Sequence, residues 1–235
     1  MELRKNVRNR HLLFCSITVC VCFALGYILL ASLDKITHPT IGELFNSIFT
    51  VYTEFGMLIF PVLTIQMFSN DYKNKNILFY KLLGYNWFQF FISKVAVILL
   101  FLGVATYIGI FVVSVIYGNF SYMGIMIFYF TSVLIFEVFV TCLWGFLFKS
   151  IITGYVVNFA FWLFSIVVST ASDKLDCFAY YDASNKVYRN LMEYLKCNDS
   201  SYIQVGQNLI YSVGLIVSVL VIVFVFRKRW ERNGI

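Results

Sequence analysis

Charge is what this sequence has least of. Of its 235 residues only 13% are Asp, Glu, Lys or Arg, while 60% are hydrophobic and 20% aromatic; soluble domains carry about 25% charged residues. Mean hydropathy is +0.81. So little polar surface cannot cover a molecule of this size in water, which excludes a soluble globular domain and requires an outer face that meets lipid.

Other absences narrow the chemistry. The two histidines, His11 and His38, both lie outside the apolar stretches, and no His-Glu-x-x-His or Cys-x-x-Cys occurs, which argues against a zinc site. There is no Gly-x-x-x-x-Gly-Lys-Ser/Thr, so the chain has no P-loop for ATP, and no Ser–His–Asp set can be assembled inside the spans. No intrinsic catalysis and no cofactor are expected.

What is present is six apolar stretches, 12–32, 46–68, 92–117, 122–148, 151–171 and 206–226. Each reaches the ~20 residues a helix needs to cross the hydrocarbon core. Backbone in lipid must satisfy its own hydrogen bonds, so these stretches are helices; the short alternating segments of a β-barrel do not occur. The expected fold is an all-α integral membrane bundle, one transmembrane domain over 1–235. The first stretch ends in Ala31-Ser32-Leu33-Asp34 after an apolar core too long for a cleaved signal peptide, and reads as a retained helix.

The basic residues orient the bundle. Arg4, Lys5, Arg8, Arg10, Lys73, Lys75, Lys81, Lys94, Lys149, Arg227, Lys228, Arg229 and Arg232 fall on one side, against Lys35, Lys174, Lys186, Arg189 and Lys196 on the other. Both termini are therefore expected in the cytoplasm, and the net charge of +6 reads as a topology signal, with no nucleic-acid partner. Residues 1–11 form a short basic cytoplasmic segment, read either as a helix on the membrane surface or as a plain charged flank. Residues 173–205 form an extracytoplasmic loop. Within it Val187, Leu191 and Leu195 recur every four residues, which predicts a helix over 184–197, capped by Ser184 or Asn185, that closes the bundle between helices 5 and 6.

Three groups of residues are candidate sites. Glu54 and Glu137 lie within spans 2 and 4 with no basic residue expected beside them, and read either as the polar lining of a substrate path or as members of interhelical hydrogen bonds. Cys177 and Cys197 share the outer loop, where an oxidising compartment permits a disulfide; two free thiols are the alternative. Residues 70–91 are longer than a simple helix connection, aromatic and basic, and predict a short interfacial helix with Phe79, Tyr80 and Trp87 open to a partner or to lipid headgroups. Pro61 predicts a kink in span 2.

The connection 70–91 resembles that of ABC-2 type permeases, which place an acidic residue there, a small polar residue about five later, a leucine-rich stretch and a lysine opening the third helix. Asp71, Asn76, Leu78-Leu82-Leu83 and Lys94 fill those places, with Asp for the usual Glu, Asn for the usual Thr, and Tyr85-Asn86-Trp87 in place of a Pro-Ser-Arg-like turn. The run Asn74–Leu82 is similar to that of epipeptide exporter permeases of low-GC Gram-positive bacteria. So are Leu25-Gly26-Tyr27, Asp34-Lys35, Lys94–Val97 and Arg229-Trp230.

The resemblance implies a multi-pass plasma-membrane permease that pairs with a second, identical chain and with separate P-loop ATPase subunits carrying ATP and Mg. It further implies that Asp71–Tyr85 is the coupling segment, with Asp71, Lys73, Lys75, Asn76, Phe79, Tyr80 and Lys81 meeting the ATPase. The implied activity is export of a peptide or antimicrobial peptide, for delivery or immunity. The residues alone leave open an ion-coupled or passive membrane protein and a membrane sensor or anchor.

Overall fold

The computed structural model describes residues 2–36, 38–171 and 173–233; Met1 of the N-terminal segment lies outside them. Among the described residues all regular structure is helical. A short α1 (Glu2–Arg8) precedes α2 (His11–Ser32). The second span is one helix interrupted by a π turn: α3 (Ile41–Thr50), the turn Val51–Phe55, and α4 (Gly56–Lys73). Then come α5 (Asn76–Leu82), α6 (Trp87–Tyr117), α7 (Met123–Leu147) and α8 (Ile151–Ala171). A 3₁₀ segment (Asp173–Ala179), α9 (Lys186–Cys197), a 3₁₀ turn (Ser200–Tyr202), α10 (Val205–Val225) and α11 (Arg227–Asn233) complete the order.

Six helices are long and apolar enough to cross a membrane, at the places the apolar stretches predict. Two are longer than expected. Ile41–Lys73 has 33 residues and α6 has 31. At about 1.5 Å per residue they reach about 50 and 46 Å, well beyond a ~30 Å hydrocarbon core. Their starts are fixed locally. Thr40 and Glu43 form a capping box for α3, and Asn86 and Gln89 form one for α6, each side chain accepting or receiving the orphan N–H of the first turn. Gly118, at φ 62°, ends α6 in the left-handed conformation that glycine adopts without strain.

α7 is the axis of the bundle, with α4, α6, α8 and α10 packed around it. Its core is aromatic: Tyr52 and Phe130 meet edge to face at 4.7 Å, and Phe49 meets Phe130 at 5.5 Å. The peripheral helices are built the other way round from those of a soluble protein. On α8 the buried residues are Gly154, Asn158, Ser165 and Ser169, while Ile152, Val156, Leu163 and Val167 face outward. With lipid as solvent, small and polar groups go inside, where they allow close packing and find hydrogen bonds.

The sequence places the irregularity of span 2 at Pro61. The structure adds a π turn six residues earlier, and repairs Pro61 from the neighbouring helix. Proline has no N–H for the carbonyl of Met57, and Asn158 Nδ2 donates to it at 2.6 Å; Tyr155 Oη donates to the next carbonyl, Leu58, at 3.0 Å.

Candidate functional site

The helix extensions meet at one end of the bundle, where α1, α5 and α11 also lie. There Asp71, near the end of α4, is buried with Lys94, two turns into α6. Lys94 Nζ and Lys5 Nζ donate to opposite oxygens of the Asp71 carboxylate. Asn76 Nδ2 donates to Oδ1 at 2.7 Å. Glu2 of α1 lies 3.6 Å from Lys94 and accepts from the Tyr80 hydroxyl. Asn6 ties Glu2 down through its backbone and side-chain oxygens at 2.9 and 3.1 Å. Rings close the site, with Lys94 Nζ 4.9 Å from the centre of Phe90 and 5.5 Å from that of Phe68. Every member of this buried ionic group thus has a counter-charge or hydrogen bond, the condition under which such groups are tolerated.

The acidic residue, the polar residue five later and the lysine of helix 3 are therefore one hydrogen-bonded unit. It fixes α5, only seven residues long, against α1, α4 and α6. This divides the predicted coupling residues. Asp71, Asn76 and Tyr80 turn inward, and Tyr80, expected as an exposed anchor, is 1% exposed, because its hydroxyl reaches Glu2. Lys73, Lys75, Leu78 and Phe79 face out, and Leu82 is 86% exposed. Lys81 is half-buried, its ammonium 5.3 Å from the Trp230 ring. Trp230 in turn packs on Phe90 at 5.7 Å, so α11 clasps the same unit. Trp87 is also half-buried, against Phe224 at 5.8 Å. The Asp71–Tyr85 segment is thus narrowed to the outward face of Asn76–Leu82 and the lysines before it.

Sequence reasoning missed Glu2 and Asn6, and did not anticipate Lys94 as a buried ion-pair partner. One signal pointed to Glu2: it is the sole acidic residue before Asp34, set among Arg4, Lys5, Arg8 and Arg10.

Glu54 and Glu137 occupy the outer part of the span-2 region, near the opposite end. The π turn carries Thr53 and Glu54, and Glu54 Oε1 accepts from the Ala183 N–H at 2.9 Å, joining the span to the loop that precedes α9. Glu137, on α7, is 1% exposed, and neither carboxyl oxygen has a hydrogen-bond partner. None of the expected hydroxyls or amides reaches it: Thr131 bonds Tyr107, and Asn158 bonds Met57. Its carboxyl lies against Gly56, where any side chain would collide with it. Glu137 also lines a pocket with Thr53, Trp162, Ser165 and Asp182.

The outer helix is close to its expectation. Asn185 caps α9, accepting from Val187 N–H, and Val187, Leu191 and Leu195 are buried. α9 sits on α3, where the Tyr188 hydroxyl takes part in hydrogen bonds with Asn46 and Thr50 and its ring stacks on Phe49. The disulfide is not formed. Cys177 and Cys197 are both exposed free thiols. The 3₁₀ segment holding Cys177 leans on α10, where the Tyr211 hydroxyl donates to the Cys177 carbonyl at 2.8 Å; Cys197 ends α9, which is held on α3.

Six lipid-facing helices, a short helix standing out from one end on a rigid ionic base, and no β-strand among the described residues on which a nucleotide-binding core could be built: this is the class of the membrane permeases. The chain belongs to the peptide export permease protein YydJ family, whose model matches residues 1–235. It is similar to the probable peptide export permease protein YydJ of Bacillus subtilis (strain 168), 28% identical over 241 residues that cover 100% of this chain and 99% of that relative. No solved structure matches the chain. It is accordingly a multi-pass plasma-membrane protein of a peptide-export family.

Proposed function

We propose that the chain is the membrane subunit of an ATP-driven exporter of a peptide of antimicrobial type, and that it performs no chemistry itself. ATP and Mg are held by a separate P-loop ATPase, which seats on α5. The observation that carries this reading is the two-sided build of α5. Its inward face is locked by Tyr80 to the Glu2–Lys5–Asp71–Lys94 group, and its outward face offers Phe79 and Leu82 with Lys73 and Lys75 at the rim. Exposed apolar anchors within a charged rim are the anatomy of a protein-docking surface. A short helix so fixed transmits a push to α4 and α6 together, and through them to the bundle. The excess of basic residues puts this end in the cytoplasm, where the ATPase is. The outward apolar faces of α2, α8 and α10 leave room for a second, identical chain.

Co-purification from the native membrane tests the reading. A P-loop ATPase accompanies the wild-type chain, and Phe79→Ala with Leu82→Glu reduces its recovery about thirtyfold, as loss of ~2 kcal/mol at a docking hot spot would. Undiminished recovery from a correctly inserted double variant overturns the docking assignment.

A further inference from the structure

The pocket at Glu137 plays no part in docking an ATPase, and its chemistry is specific. It lies between the π turn of span 2, α7, α8 and the loop before α9, and holds about 350 Å³ of empty space, room for one side chain and not for a folded peptide. Glu137 is unpartnered in either protonation state: as a carboxylate it accepts from no donor, and as an acid it finds no acceptor. A buried polar group left so is costly and marks a place where something is missing. Gly56 keeps the space beside the carboxyl free. The π turn, a feature frequent at functional sites, presents Thr53 to the pocket and Glu54 to its roof. Asp182 adds a third carboxyl within electrostatic reach of Glu54, which in turn acts on Glu137. Among the described residues none of the three forms an ion pair.

The missing partner is a cation, and the lining says which kind. No three acidic, histidine or cysteine side chains converge as metal ligands among the described residues. Phe136, Trp162 and Tyr181 instead offer ring faces around the acid, the surroundings that suit an organic ammonium. We propose that this pocket binds a protonated primary amine, with Glu137 as its counter-ion. As a station for the amine of an exported peptide the site rests on the export reading above; as an amine site it stands without it. The headgroup of phosphatidylethanolamine carries the same chemistry.

The test uses the full chain in nanodiscs of phosphatidylglycerol alone. Dicyclohexylcarbodiimide, an apolar carboxyl reagent, is added with or without n-butylammonium chloride, and labelling of Glu137 is read by peptide mass. At ten times its dissociation constant the ammonium cuts labelling about tenfold, whereas equal sodium chloride or n-butanol does not. Glu137 left unlabelled throughout, or labelled equally with and without the amine, overturns the site. In the second arm n-butylammonium raises the melting temperature of the wild type saturably and that of Glu193→Gln, an exposed control, equally; Glu137→Met removes the response. A persisting response in Glu137→Met overturns the assignment, and the labelling arm, run on the unaltered protein, decides the matter should that variant not fold. N-acetyl-lysine amide and phosphatidylethanolamine nanodiscs then separate the sources: protection by the first supports a peptide amine, and protection by the lipid alone refutes the peptide station while keeping the amine site. None of these readings depends on an ATPase, so the site and the export reading fail separately.

Discussion

Asn158 gives the second span the hydrogen bond that Pro61 withholds. Its amide donates at 2.6 Å to the carbonyl of Met57, four residues before the proline, and Tyr155 on the same face of α8 serves Leu58. A proline is tolerated in a membrane helix when a neighbour satisfies the carbonyls it frees. The pair also joins α8 to α4 across the wall of the acidic pocket.

That relationship predicts a coupling. Asn158→Leu removes the donor from a buried carbonyl and costs about 1–3 kcal/mol in the wild type. In a Pro61→Ala background the helix supplies its own donor, and the same change costs much less. Thermal unfolding of the four proteins in nanodiscs measures the cycle; equal costs in both backgrounds would show that the bond is incidental.

The ionic base of α5 predicts a second. Asp71→Leu leaves Lys94 buried with Glu2 as its remaining counter-charge at 3.6 Å, and should cost about 3–5 kcal/mol. Adding Lys94→Met removes the stranded charge, so the double variant should melt above Asp71→Leu alone. Because Lys5 and Glu2 belong to the same unit, Asp71→Leu should also free α1, and trypsin should cut after Lys5 at least about tenfold faster, the effect of ~1.4 kcal/mol of lost local stability. Unchanged cleavage would detach α1 from the base.

The free thiols of the outer loop give a third, which also reads the topology. Cys177 and Cys197 are exposed and separate, while Cys15, Cys22 and Cys142 are buried in the bundle. A membrane-impermeant maleimide applied to intact cells without reductant should label both loop cysteines and nothing in a Cys177→Ser, Cys197→Ser variant. Labelling that appears only after reduction would restore the disulfide. Labelling only after the cells are opened would put the loop inside, and with it remove α5 from the reach of a cytoplasmic ATPase.

How much of this was legible beforehand follows from how each feature is encoded. Span positions are local: twenty apolar residues in a row are enough, and α8 is found at the bounds expected, Ile151–Ala171. The amphipathy of α9 is local too. The roles of the coupling residues are not, because which side of α5 faces inward is settled by Tyr80 meeting Glu2, 78 positions away. Nothing in seven residues of α5 announces that partner. The π turn is equally silent, since one extra residue in a helical turn leaves no mark on composition. Pairing of Cys177 with Cys197 failed as an inference because a shared compartment permits a disulfide and only geometry makes one.

Gly56 and Glu137 provide the sharpest test of the pocket's architecture. Alanine in place of a helical glycine ordinarily adds about 1 kcal/mol of stability. At Gly56 the new methyl group would run into the Glu137 carboxyl, which is enclosed and has nowhere to move; such overpacking costs about 1–3 kcal/mol. Gly56→Ala should therefore lower the melting temperature of the wild type. Once Glu137→Ala has emptied the space, the same methyl fills it and regains the helical preference, so Gly56→Ala should now raise the melting temperature. Only direct contact reverses the sign of a substitution in this way. If Gly56→Ala is harmful in both backgrounds, the glycine serves the backbone of the π turn and not the carboxyl beside it. If it is beneficial in both, the carboxyl is free to swing out of the pocket.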